Sequence, residues 1–238
     1  MSNVLTITGR ELKTYFFSPV AYIIIALFAL FTGFVFTQIV VQSQQAEMSG
    51  DFQWMVVLAL ILAPALTMRL FAEENRQGTI ELLMTAPVRD WEIVIGKFIA
   101  ALLGFVGLLV PTLWHVVLLH RYGSPDLGPI ATGYLGLLLV GAAFVGVGML
   151  TSSLTQNQFI AYISGMISLL FLWVLGSASG ALGAENAITD LFRFLGLPGH
   201  FQDFFNGIVD SEHVLYFLSL AAIAIFLTVR VVESRRWR

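Results

Sequence analysis

The chain has 238 residues, of which 58% are apolar and only 11% charged, whereas soluble domains carry about a quarter charged residues. Its formal charge of −3 says less than the distribution of that charge, and the absence of cysteine excludes disulfides, thiolate metal sites and cysteine nucleophiles. What remains is an all-α integral membrane protein with short loops, forming a single domain over residues 1–238.

The opening MSNVLTITGRELKTYFFSP is too polar for the apolar stretch of a secretory signal, and no small-residue cleavage pattern follows the first apolar run. Within Asn3–Phe17, Leu5, Leu12 and Phe16 share a helical face, away from Arg10, Glu11 and Lys13. Such a segment lies flat in the headgroup region, unless it is a frayed terminus, and Pro19 marks its turn into the bilayer.

Crossing ~30 Å of hydrocarbon takes ~20 apolar residues. Six runs qualify: Val20–Val41, Phe52–Leu70, Ile93–Leu119, Ile130–Leu150, Phe159–Gly176 and Val214–Val232. An even number puts both termini on one side. Ten of the 12 basic residues fall on that side, among them Arg10, Lys13, Arg69, Arg76, Arg89, Lys97 and Arg230. Only Arg121 and Arg193 fall opposite, among eight acids that include Glu47, Asp51, Asp126, Asp203 and Glu212. The side rich in Lys and Arg is expected to be cytoplasmic.

Between the second and third runs, Glu73–Lys97 forms a charged island in an apolar setting. Thr79 can cap a helix through its hydroxyl, and Glu81 suits the positive first turn. Pro87 disfavours helix at Ala86, so the spacing predicts about two turns over Ile80–Thr85. Such a stub is ~9 Å long and has no independent stability. It presents Ile80, Leu82, Leu83 and Met84 to a docking surface, on this bundle or on a partner. The alternative is a basic loop that only sets topology. Asp90 then opens the third helix, with Glu92 in its first turn and Lys97 expected to snorkel.

The fourth run, TGYLGLLLVGAAFVGVGML, carries Gly133, Gly136, Gly141, Gly146 and Gly148, and Ala142 with Gly146 makes a small-xxx-small pair. Gly104 and Gly107 repeat the pattern more weakly in the third run. Close helix packing or a sliding surface would use them. Ser177–His213 is too long for a simple turn, and Phe192, Phe194, Phe201, Phe204 and Phe205 among acids predict short extracytoplasmic helices that dip into the outer leaflet or cap the molecule.

No phosphate loop is present: Gly96-Lys97 is followed by Phe98 and lacks a glycine at position 91. The four histidines lack ligand spacing, and His115 beside Trp114 is expected to be interfacial rather than a proton relay. Almost no ionisable group is expected inside the spans, unlike in ion-coupled carriers. Energy for any transport therefore comes from elsewhere, and no catalytic cluster supports a membrane enzyme.

The block GTIELLMTAPVRDWEIVIGK resembles the GTxExLLxxPVxxxxxxxGK signature of ABC type-2 transporter permeases, with Glu74, Gly78, Thr79, Glu81, Leu82, Leu83, Pro87, Val88, Gly96 and Lys97 at matching positions. The opening GRELKTYFFSPVAYI and the closing FQDFFNGIVDSEHVLYFLSL…ESRRWR resemble the gliding-motility (Gld-type) branch. The resemblance implies six transmembrane helices, an N-terminal interfacial helix and a cytoplasmic coupling helix between helices 2 and 3. It implies a bacterial inner-membrane exporter subunit, non-catalytic and without a cofactor of its own. ATP and Mg would be bound by a partner ABC ATPase subunit. A second permease subunit, as homodimer or paralogue, and a membrane-anchored extracytoplasmic accessory protein are the further partners implied. The coupling residues would be Glu74, Gly78, Thr79, Glu81, Leu82, Leu83, Pro87 and Val88; helix packing would use Gly104, Gly141, Ala142 and Gly146. A mechanotransmission or assembly subunit, relaying ATPase work to an extracytoplasmic partner without transport, is the alternative.

Overall fold

A computed structural model describes residues 2–79, 88–182 and 187–235, and these are helical throughout apart from short connections. The expected stub over Ile80–Thr85, with Glu81, Leu82, Leu83 and Pro87, lies outside the described residues.

Helix α1 covers Ser2–Phe17 and α2 Pro19–Ser43. Ser18 between them is extended, and Pro19 takes the first helical position, where its missing N–H costs nothing. Gln44 ends α2 in the left-handed conformation, φ 53°, with its N–H on the Val40 carbonyl. Helix α3 (Ser49–Thr67) breaks at Met68 and continues as α4 (Arg69–Gln77), capped by Gly78 at φ 69°. Such a φ strains any side chain but is free for glycine.

Helix α5 (Asp90–Leu109) starts where Glu92 folds back to accept the Arg89 N–H at 2.9 Å. Pro111 then forces a 3₁₀ turn over Val110–Thr112 before α6 (Leu113–Tyr122). The expected third span is thus two helices in one crossing, Asp90–Tyr122. Asp126 caps α7 (Leu127–Leu154) through the Gly128 N–H, and α8 covers Gln158–Leu182. Two short helices, α9 (Ala187–Leu195) and α10 (Pro198–Phe205), precede α11 (Ser211–Arg235). Among the described residues, six stretches are long and apolar enough to cross a membrane, and they match the six expected runs in order.

Helix α7 is the centre of the bundle and packs on α3, α4, α5, α8, α10 and α11. Its glycines make room for rings as well as for backbone. A Cβ at Gly133 would overlap the Phe52 ring, and one at Gly141 the Phe105 ring; at Gly146 it would come 3.2 Å from Ala224 Cβ and 3.4 Å from Ala221 Cα of α11. Gly104 instead faces Tyr15 of α1 at an ordinary 3.9 Å, and Ala142 is buried in α7. Phe201, Phe204 and Phe205 are buried, and Phe205 stacks on Phe52 with ring centres 5.4 Å apart. Helix α10 packs these three rings against the bundle, chiefly on α7. Phe194 remains half-exposed.

The outer faces of α2, α8 and α11 present Ile23, Leu27, Leu30, Ile167, Phe171, Ile223 and Phe226, all well exposed. A row of such side chains on a helix of this length is a lipid-facing surface. The hydroxyls of Thr32, Thr37, Thr67 and Ser168 donate to carbonyls of their own helices one turn back. This local pairing makes them tolerable in an apolar setting.

Candidate functional site

Gly96 and Lys97, in the second turn of α5, begin the site. The bare Gly96 backbone lets α1 lie against α5: a Cβ there would stand 2.9 Å from Ile7 Cγ2 and 3.2 Å from the Val4 carbonyl. Thr8 of α1 donates to the Gly96 carbonyl at 3.0 Å. One residue on, the Lys97 side chain turns inward and is 1% exposed, in contrast to the expected snorkelling.

The Lys97 ammonium donates to Glu11 Oε1 of α1, to Glu74 Oε1 of α4 and to the Leu70 carbonyl, each at 2.8 Å. It also lies 5.2 Å from the centre of the Phe71 ring. An ammonium has three N–H donors, and all three are used. Two carboxylates offset the cost of burying one cation, which explains why Lys97 does not reach for the surface. The carboxylates come from helices that are remote in sequence. Snorkelling assumes a surface within reach, and α1 covers that surface.

The cluster clamps together the two helices that flank residues 80–87. Glu74 sits in the last turn of α4, just before that segment, and Lys97 just after it in α5. Glu11 adds α1. Of the residues singled out in the sequence, Glu74, Gly96 and Lys97 are therefore brought together. Gly78 caps α4, Thr79 Oγ1 stands 3.5 Å from the Glu74 carbonyl, and Val88 packs on the core just ahead of α5. Tyr15 of α1 donates to the Leu66 carbonyl at 2.8 Å, and burial pushes its phenol well above the ordinary range.

The break at Met68 is a second part of the site. Breaking α3 from α4 frees the Phe71 and Ala72 N–H groups. Both donate to Ser152 Oγ of α7 at 3.1 Å, and that hydroxyl donates to the Met68 carbonyl at 3.0 Å. Asn75 donates to the Thr155 carbonyl at 3.0 Å. Gln158, opening α8, donates to Glu73 and accepts from Arg69. Helix α4 thus has its first free N–H groups satisfied by Ser152 of α7, and its last turn is held by the Lys97 clamp.

The opposite end of the bundle holds groups that sequence reasoning placed differently. Asp51, 0% exposed, pairs with His115 Nδ1 at 2.9 Å, and Phe36 stacks on that imidazole at 4.4 Å between ring centres. His115, expected at the interface, is instead buried against Asp51, which stands in the first turn of α3. The partners are 64 residues apart, so no local pattern joins them. Above them, His200 Nε2 donates to the Phe194 carbonyl and its Nδ1 faces His213 Nδ1, both at 2.9 Å, while His213 Nε2 meets Asp203 at 2.9 Å. Burial holds His200 below the usual imidazole range. Among the described residues no group of three or more His, Asp or Glu is arranged to hold a metal ion.

A family profile described as "ABC-2 family transporter protein" matches residues 26–232. The chain is 31% identical over 126 residues to the probable multidrug ABC transporter permease YbhR of Escherichia coli (strain K12), covering 50% of this chain and 34% of that protein. It is 28% identical over 105 residues to the probable multidrug ABC transporter permease YbhS of the same organism, covering 44% and 27% respectively. The aligned part is thus about a third or less of these relatives' length. With the family profile running from α2 to the last turns of α11, the chain belongs to the ABC-2 family of transporter proteins.

Proposed function

We propose that the chain is the permease subunit of an ATP-binding-cassette exporter, moving its cargo outward by alternating access driven by a separate ATPase subunit. The observation that carries this reading is the Lys97 clamp, which ties both flanks of residues 80–87 to each other and to α1. In this reading the segment docks on the ATPase from the cytoplasm through Glu81, Leu82 and Leu83. Force applied there enters α4 and α5 together, and Glu11 carries it into α1. The Met68 break lets α4 tilt against α3, while Ser152 passes the movement to α7.

The basic residues gathered at this end support a cytoplasmic position for both termini, and the exposed Leu5, Phe16 and Phe17 support α1 as an interfacial helix. A second permease subunit would cover part of the exposed faces of α2, α8 or α11. The relatives' description as multidrug permeases supports an amphipathic cargo, and the opening and closing blocks of the chain favour the Gld-type branch.

Leu82→Asp tests the docking: it should abolish co-purification of the ATPase and ATP-driven export from vesicles while membrane insertion stays intact. Undiminished ATPase binding in this variant refutes the coupling assignment. ATPase stimulation without cargo movement in the unaltered complex would instead make the chain a mechanotransmission subunit.

A further inference from the structure

Beside the Lys97 cluster, a cavity of about 490 Å³ opens between α1, α2 and α4, and its lining mixes charged and apolar side chains. Arg10, Arg69 and Ser18 share it with Val20, Ala21, Ile24 and Leu66. Lys97 is held by Glu11 and Glu74, one cation between two carboxylates, and Arg76 pairs with Glu73 at 2.9 Å. With Arg10 and Arg69 the lining has four cations against three anions, a net charge of +1. Arg69 meets only neutral oxygens, Ser18 Oγ and Gln158 Oε1, each at 3.3 Å, and Arg10 makes no ion pair among the described residues. A guanidinium has five donors in a planar fork, so both keep free N–H groups.

We propose that this cavity binds the phosphate headgroup of an anionic phospholipid, with Arg69 and Arg10 as the phosphate ligands and an acyl chain leaving along α2. The apolar part of the lining continues into Ile23, Leu27 and Leu30, which are 57%, 53% and 72% exposed. Helix α1, which forms the roof, turns Leu5, Phe16 and Phe17 outward. The cavity therefore sits where headgroups meet acyl chains, in the leaflet where anionic lipids and basic side chains attract. Guanidinium and phosphate pair through two parallel hydrogen bonds. A free phosphate would use the same arginines but leave the apolar side chains wet. An acidic side chain of a protein partner would do the same, so the apolar side chains beside the arginines favour a lipid. The site rests on the reading of α1 as interfacial and needs nothing of the ATPase.

The test is native mass spectrometry of the detergent-solubilised full chain, titrated with phosphatidylglycerol, with phosphatidylcholine, or with phosphatidylglycerol in excess inorganic phosphate. The unaltered chain is expected to retain one phosphatidylglycerol in preference to phosphatidylcholine, unaffected by phosphate. Arg69→Gln should weaken that binding about tenfold, the loss of one charge-assisted hydrogen-bonding group. Arg10→Gln, on an exposed residue, should also weaken it, and Arg230→Gln on α11 should not. Equal retention of both lipids, binding by the Arg69 and Arg10 variants as tight as that of the unaltered chain, or displacement by inorganic phosphate overturns the proposal. A chain that binds the lipid but no ATPase would refute the coupling function while leaving this site intact.

Discussion

Replacing Lys97 with Met tests whether the buried ammonium holds α1, α4 and α5 together. Methionine keeps much of the volume and removes the charge. Two carboxylates then face one cavity with no cation between them. Because both lie 2.8 Å from one nitrogen, their nearest oxygens are at most about 5.6 Å apart. At an effective dielectric of ~20, two unit charges at that distance repel by about 3 kcal/mol. Breaking a buried pair from one side costs ~3–5 kcal/mol. With Glu11 and Glu74 side chains 15% exposed, water can reach them, so the lower end of that range is expected. Equilibrium unfolding in mixed micelles, followed by tryptophan fluorescence, should therefore show a loss of about 3 kcal/mol. The triple change Lys97→Met, Glu11→Gln and Glu74→Gln removes the repulsion as well and should recover more than half of it. A single-variant loss below ~1 kcal/mol, or a triple variant no better than the single, refutes the clamp.

Ser152→Ala leaves the Phe71 and Ala72 N–H groups buried without an acceptor. It should cost ~1–3 kcal/mol, with faster hydrogen exchange at those two amides as the specific readout; unchanged exchange would remove Ser152 from the hinge. His200 should make the fold acid-sensitive. Its folded-state pKa is lowered by burial, whereas an unfolded histidine titrates near ~6.5. Between those values the unfolded chain takes up the proton and the folded chain does not, so stability falls as pH drops below ~6.5. The geometry agrees, because a proton on Nδ1 would set two N–H donors head to head with His213. The thermal midpoint should be lower at pH 5.5 than at pH 7.5, and His200→Gln should flatten the difference; an unchanged slope in that variant assigns the acid sensitivity elsewhere.

Much of the fold was legible because a bilayer imposes a local rule. Each span must be long, apolar and internally hydrogen-bonded, so six runs of sequence became six crossings with ends displaced by a few residues. Pro19, Gly78 and Asp90 mark element boundaries through their own backbone chemistry. Pro111 was as visible as these, yet the third crossing was read as one helix because its apolar run continues unbroken through the 3₁₀ turn. The glycines of α7 showed that something approaches closely, but not what. Phenylalanine rings at Gly133 and Gly141 and the α11 backbone at Gly146 give no signal in a local pattern.

Residues Glu73–Lys97 show the same division. Composition alone marks this island as the polar interruption of a membrane chain, and spacing alone gives its caps and stops. Only the tertiary structure turns Lys97 inward. That decision depends on Glu11, 86 residues earlier, and on α1 lying across Gly96 so that no surface is left for the ammonium to reach. Likewise Asp51 and His115 meet because the fold brings the first turn of α3 to the start of α6, and Ser152 finds Phe71 because α3 breaks beside α7. Hydropathy and helix ends follow from each residue and its near neighbours. Buried charge pairs and the contacts at a helix break follow from which helix faces meet, and the packed bundle determines that.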